Sequence, residues 1–136
     1  MRYLLDVSAL VPFGFIDHEF HQRVGIWARA LASPGVPEFA TCSITELGFV
    51  RILVQTSQYG LTVAEARSLL VRIKAAGKPN FTFISDDHDI SQLPGWVSTP
   101  KQITDGHLVQ LAKANGAVLA TLDRKIPGAF VIPPEK

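Results

Sequence analysis

The sequence predicts an α/β fold, a three-layer α/β/α sandwich with a central parallel sheet of four to five strands. Three observations carry the prediction. Short apolar runs of strand length recur at residues 3–5, 36–42, 81–84, 117–120 and 129–132. Between them lie segments with apolar residues at helical spacing, such as Phe20, Val24, Trp27, Ala28 and Leu31. This alternation of strand and helix needs crossover connections, which are right-handed in parallel sheets and put every strand's carboxyl end on one edge.

Composition sets the outer bounds. A chain of 136 residues with 47% apolar and 18% charged residues is long enough for one globular domain, read here as residues 1–136. The lone Cys42 makes no intrachain disulfide, so nothing points to an oxidising compartment. The Met1-Arg2 start does not read as a signal peptide, and no apolar run reaches the roughly 18 residues of a membrane span. A cytoplasmic protein without a membrane segment is expected. Thirteen Lys and Arg against twelve Asp and Glu leave a net charge of +1, which gives no general attraction to nucleic acid. If four of the acids gather in one metal site, the remaining surface is basic.

The elements follow in order. After the first strand and Asp6, residues 8–15 read as a short helix, with Pro12 in its first turn, where a missing N–H costs little. A second helix is expected over residues 18–32, with Asp17 as N-cap and Ser33-Pro34-Gly35 as its stop. His18 and His21 stand three apart there, but without carboxylate or Cys partners they read as a solvated face. The second strand leads into a helix from about residue 43 to 57, whose Ser43-Ile44-Thr45-Glu46 start has the form of a capping box. Thr62 and Glu65 repeat that box on the next helix, 62–76. Together the two make a hairpin with more apolar residues, Phe49, Ile52 and Val71 among them, than one core-facing stripe needs. Core burial accounts for most of these, and an oligomer or partner surface is the second reading. Past the third strand, Asp86-Asp87-His88-Asp89 reads first as a solvated loop and second as metal ligands, and Trp96 anchors the following loop. A further helix opens at Lys101 to Asp105 and closes at Asn115-Gly116. Asp123 lies just past the fourth strand.

The chemistry lies in where the acids fall. Asp6 and Asp123 follow strands, while Glu46 and Asp105 sit in first turns of helices, so all four meet the same rim. Each also has a local reading: Asp6 as a helix cap, Glu46 in the capping box, Asp105 against the helix macrodipole, Asp123 in a turn. Crowded carboxylates repel one another unless a divalent cation neutralises them. Oxygen donors without Cys or an obligatory His suit Mg²⁺ or Mn²⁺, one ion or two, and such a pocket points to phosphodiester chemistry.

At these residues the chain resembles the PIN-domain ribonucleases, and within them the VapC toxins of type II toxin–antitoxin modules. The matching stretches are Leu5-Asp-Val-Ser-Ala-Leu10, Thr45-Glu46, Thr104-Asp-Gly-His-Leu108 and Gly116-Ala-Val-Leu-Ala-Thr-Leu-Asp-Arg124. Each is weak alone, and in order they cover nearly the whole chain. The resemblance implies a metal-dependent endoribonuclease toxin that acts on RNA as a homodimer and is neutralised by a cognate VapB-like antitoxin.

By the same resemblance Asp6, Glu46, Asp105 and Asp123 are the catalytic and metal-binding acids. Ser8 and Thr121 are the hydroxyls that support them. Arg124, Lys125 and Lys101 could hold the RNA backbone, or be solvated surface charge. His107 reads as structural or solvent-facing rather than as a substrate contact. One departure stands out: many relatives carry a further acid or Asn shortly after the last Asp, where this chain has Arg124 and Lys125. Two other classes compete. An aspartate-based phosphatase would want a second Asp two residues after the first, where Ser8 stands, and a catalytically silent binding domain would not need the four acids.

Overall fold

The computed structural model describes residues 1–33 and 35–135. Pro34, part of the stop expected after the second helix, lies outside them. Five strands form one wholly parallel sheet: β1 (Arg2–Leu5), β2 (Glu38–Thr41), β3 (Asn80–Phe83), β4 (Ala117–Thr121) and β5 (Phe130–Val131), in the order β3-β2-β1-β4-β5. The predicted sandwich and its upper strand count are what the chain adopts. β1 is the middle strand, so the residue after it opens at the centre of the carboxyl edge.

Side chains alternate across the pleat and divide the core in two. Leu5 and Phe39 face one layer, where they meet Leu10, Val24, Trp27, Phe49 and Leu53. Trp27 stacks on Phe39 with centroids 5.4 Å apart. Leu4, Ala40 and Leu119 face the other layer, against Leu108 and Leu111. Fully burying each large apolar side chain stabilises by about 1.5–3 kcal/mol, so both faces hold the sheet. Trp96 packs against this second layer, the anchor its sequence context suggests.

Helices α1 (Val7–Gly14), α2 (His21–Leu31), α3 (Ser43–Gln55), α4 (Val63–Ala75) and α5 (Ile103–Ala114) fill the outer layers. Several begin elsewhere than the sequence suggests. Pro12 lies in the interior of α1, not its first turn, so the Ser8 carbonyl has no helical N–H to accept, and the helix ends two residues later. The Pro12 carbonyl itself meets His21 Nδ1 at 2.7 Å. That bond starts α2 at His21 rather than at residue 18. Phe20, not Asp17, occupies the N-cap, and residues 16–20 form turns. The Thr62 and Glu65 capping box on α4 forms as expected, with bonds of 2.9 and 3.1 Å.

At the far edge of the sheet, β5 is only two residues long and needs outside support. Arg23 on α2 supplies it, donating Nη2 to the Ile132 carbonyl at 2.5 Å and Nε to Pro133 at 3.1 Å. On the hairpin of α3 and α4, Phe49 is buried and Ile52 half-buried, whereas Leu47 and Val71 are each 61% exposed. No helix of the described residues is long and apolar enough to cross a membrane.

Candidate functional site

Asp6 is set at the centre of the rim by the sheet itself. Its N–H donates to the Ala120 carbonyl at 2.9 Å, which carries the ladder between β1 and β4 one residue further. Its backbone stays extended (φ −60°, ψ 158°), and Oδ1 accepts the Val7 N–H at 2.8 Å. Asp6 is therefore the N-cap of α1, and Ser8 lies inside the helix rather than at its start.

The second oxygen is held by the two hydroxyls singled out from sequence. Asp6 Oδ2 accepts from Thr121 Oγ1 at 2.8 Å and from Ser8 Oγ at 3.1 Å. Ser8 Oγ in turn accepts the Leu122 N–H at 3.2 Å, and Thr121 Oγ1 accepts the Asp123 N–H at 3.0 Å. The two hydroxyls lie 3.1 Å apart. A carboxylate has about four acceptor positions, and three are filled here. Asp6 is only 8% exposed, yet one lone pair on Oδ1 stays open.

Asp123 sits in the turn that its sequence context suggests, Oδ1 accepting the Lys125 N–H at 2.9 Å. The Thr121 hydroxyl ties its backbone to Asp6. Asp105 lies in the first turn of α5, and among the described residues no hydrogen-bond donor reaches its carboxylate. Partial burial pushes its pKa up, and the charges of Asp6 and then Asp123 push it further the same way. These three carboxylates feel one another. The next residue, Gly106, sets how close the neighbouring loop comes, because a Cβ there would meet Val97 Cγ2 at 2.3 Å.

Glu46 is also in a first turn, that of α3, but not in a capping box. The N-cap is Cys42, one residue before the expected Ser43, and its N–H donates to Thr45 Oγ1 at 3.0 Å. That shift frees the Glu46 carboxylate. Oε2 accepts from Thr41 Oγ1 and from Lys74 Nζ, both at 2.5 Å. Lys74, in the last turn of α4, is a rim residue the sequence reading missed. Its only local signal is a basic residue at a helix C-terminus, which needs no partner to be favourable.

The three candidate RNA-binding cations, Lys101, Arg124 and Lys125, are exposed. Among the described residues none of them forms an ion pair.

Beyond the end of β3, Asp86 Oδ2 lies 2.5 Å from His107 Nε2, and Oδ1 accepts the His88 N–H at 3.1 Å. Burial raises the Asp86 pKa, but the His107 hydrogen bond, the His88 N–H and the two imidazole charges outweigh it and hold it below the usual value. Asp89 Oδ1 takes both the N–H and the hydroxyl of Ser91. The Asp86 and Asp89 carboxylates thus find partners within the cluster, while the buried His88 Nδ1 has none among the described residues. His18 accepts the Phe20 N–H, so neither it nor His21 is arranged as a ligand.

Among the described residues no three His, Cys, Asp or Glu side chains converge into a ready-made cage. The rim donors nevertheless fit a hard divalent cation that keeps part of its water shell. They are all oxygens, Asp105 lacks a protein donor, and Asp6 has an open lone pair.

The rim can be set beside known proteins. No family model matches the chain. Ribonuclease VapC38 of Mycobacterium tuberculosis (strain ATCC 25618 / H37Rv) is 36% identical over 127 residues, covering 88% of this chain and 84% of the relative. Ribonuclease VapC44 of Mycobacterium tuberculosis (strain CDC 1551 / Oshkosh) is 34% identical over 139 residues, covering 95% and 94%. Among solved structures, VapBC2 from Rickettsia felis, bound to a DNA fragment from its promoter, shares the fold with a TM-score of 0.60 at 15% identity, over 96% of this chain and 97% of that one. With relatives this similar over this much of their length, the chain belongs to the VapC family of PIN-domain ribonucleases.

Proposed function

We propose that the chain works as a toxin of the VapC kind by cutting RNA at this rim, with a divalent cation held by Asp6, Asp105 and Asp123 and with Glu46 beside them. As a VapC-family member it is an endoribonuclease, a hydrolase of phosphodiester bonds. The observation that carries the metal assignment is the Asp105 carboxylate, which has no protein donor among the described residues and lies near enough to Asp6 and Asp123 for their charges to add to burial in raising its pKa. Mg²⁺ or Mn²⁺, as one ion or two, would supply the neutralising charge and a coordinated water of lowered pKa.

The chain's own residues do the rest. Ser8 and Thr121 fix the Asp6 carboxylate through Oδ2 and leave one acceptor position on Oδ1 for the ion. Thr121 also fixes the backbone of Asp123, which joins the two acids into one unit. Supporting bonds of this kind typically set affinity and geometry at metal sites. Arg124, Lys125 and Lys101 flank the acids and would hold the RNA backbone by charge. A cognate VapB-like antitoxin and a homodimer belong to the same reading. Both rest on family membership, and the exposed Leu47 and Val71 on the α3–α4 hairpin offer apolar surface for either.

The test is cleavage of a panel of structured and single-stranded RNAs by the purified protein with Mg²⁺ or Mn²⁺, repeated with EDTA and with Asp6→Asn. Cutting is expected only with metal and an intact Asp6. Cleavage that survives chelation or Asp6→Asn overturns the metal assignment. Release of phosphate from small phosphoesters without RNA cleavage would support the phosphatase alternative.

A further inference from the structure

The α4–β3 flank of the rim has two features that metal binding does not explain. One is the Lys74 ammonium, bonded to Glu46 at 2.5 Å, with its side chain 30% exposed. The other is Phe83, the last residue of the edge strand β3, which is 48% exposed although large and apolar. They are adjacent: Lys74 Nζ lies over the Phe83 ring, 5.5 Å from its centroid.

Topology sets this pair beside the acids. β2 lies between β3 and β1, and Thr41 at its end pairs in register with Phe83. The Thr41 hydroxyl donates to the same Glu46 oxygen that Lys74 holds. Two residues along α3, a Cβ on Gly48 would meet Val7 Cγ2 at 2.5 Å, so α3 packs directly on the residue after Asp6.

The chemistry of the pair matches a strand of RNA. An ammonium carries three N–H donors. Glu46 takes one and leaves the others for a phosphate. Partly exposed ion pairs are weak, so a phosphate can share or displace the Glu46 contact at little cost. An exposed aromatic ring beside a cation is the arrangement by which proteins bind single-stranded nucleic acid, the base stacking on the ring and the backbone on the charge. Four carboxylates at the rim repel a polyanion, and Lys74 is the one cation bonded to any of them among the described residues.

We propose that Lys74 and Phe83 form a subsite for single-stranded RNA beside the acidic rim, with a phosphate on the Lys74 ammonium and an unpaired base on the Phe83 ring. Glu46 and Thr41 act there as positioning residues that aim the ammonium. The inference rests on the endoribonuclease reading above and names where that substrate lies.

The test uses the full chain and a fluorescein-labelled, mixed-sequence, single-stranded RNA 12-mer. Ca²⁺ replaces Mg²⁺, and gels check that the probe stays intact. Lys74→Met is expected to weaken binding about tenfold and to lower the slope of log affinity against log salt by about 0.7, the loss of one single-strand phosphate contact. Phe83→Ala is expected to weaken binding about fivefold or more, the cost of a lost stacking platform. Lys74→Arg and Phe83→Trp are expected to restore most of the affinity, which loss of folding would not allow. Mn²⁺ affinity, read by electron paramagnetic resonance, is expected to stay within about twofold in all four variants and to collapse in Asp105→Asn. RNA affinity unchanged in both Lys74→Met and Phe83→Ala overturns the subsite. So does a Phe83→Ala variant that loses only its dimer or antitoxin, or a Lys74→Met variant that gains Mn²⁺ affinity without losing RNA. Mn²⁺ affinity intact in Asp105→Asn overturns instead the metal reading on which the subsite rests.

Discussion

Two groups of acids stand on the same edge of this sheet, and they have opposite electrostatics. Around Asp86, imidazoles and N–H groups answer the negative charge locally, and the Asp86 pKa falls. Around Asp105, partial burial and then two more carboxylates disfavour the charged form, no donor answers it, and the pKa rises. The Asp86-Asp87-His88-Asp89 run is dense in ligand-type residues, yet the sequence reads it first as a solvated loop and puts the metal at the other group. An acid cluster calls for an external cation when the protein leaves it unbalanced, not when acids are merely numerous.

The contrast can be broken most sharply at single carboxylates. Asp6→Asn is expected to lower RNA cleavage by more than the roughly 10–100-fold typical of losing a supporting bond at a metal site. Asp86→Asn should change it by less than about threefold if the Asp86 group is structural. Equal losses in a steady-state cleavage assay would erase the distinction.

A smaller effect is expected one layer out. Ser8→Ala combined with Thr121→Val removes both hydroxyls from Asp6 Oδ2 and leaves all four acids in place. Mn²⁺ affinity should fall about 10–100-fold, as measured by titration calorimetry. Full retention would mean that the hydroxyls hold the fold and not the ion.

The smallest effect carries a sign. The folded Asp105 carboxyl keeps its proton to a higher pH than the unfolded one, so its contribution to stability is present at low pH and lost as pH rises through the folded value. Asp105→Asn should therefore raise the melting temperature of the metal-free protein at pH 7, with the gain vanishing below the ordinary carboxylate range. Asp86 runs the other way. Its stabilisation is present above the ordinary range and lost as pH falls through its lowered value, so Asp86→Asn should melt lower at pH 7. Each shift is about 1 kcal/mol at most after solvent screening. Melting curves across pH that move the same way for both variants would contradict the comparison.

How much of this was legible in the sequence depends on the distance over which each feature is decided. Sheet class and the rim position of Asp6, Glu46, Asp105 and Asp123 follow from periodicity and from crossovers that admit one hand. The Ser8 and Thr121 pairing was reachable because each lies two residues from a rim acid on the same edge. Helix starts were less legible. Ser43-x-x-Glu46 has the letters of a capping box, but Cys42 takes the cap through Thr45, and a shift of one residue turns Glu46 from cap to rim. Asp17 has the right residue type, yet the contact between Pro12 and His21 places the start of α2 beyond it. Lys74 was out of reach, since its partner lies 28 residues away and depends on how the α3–α4 hairpin folds back. His107 and Asp86, 21 residues apart, meet for the same kind of reason.

The clasp of Arg23 on the end of β5 has a consequence for the opposite side of the rim. Asp123 sits in the connection between β4 and β5, and that connection is pinned at both ends, by the Thr121 hydroxyl at one and by the β5 ladder with Arg23 at the other. A short loop with both ends fixed has little conformational freedom left to lose when its tip is ordered. Much of the ordering cost of one rim acid has thus been met during folding, by an arginine on a helix that contributes no acid to the rim. The readiness of the proposed site to take a cation is in this sense a property of the whole sheet, stored partly at its far edge.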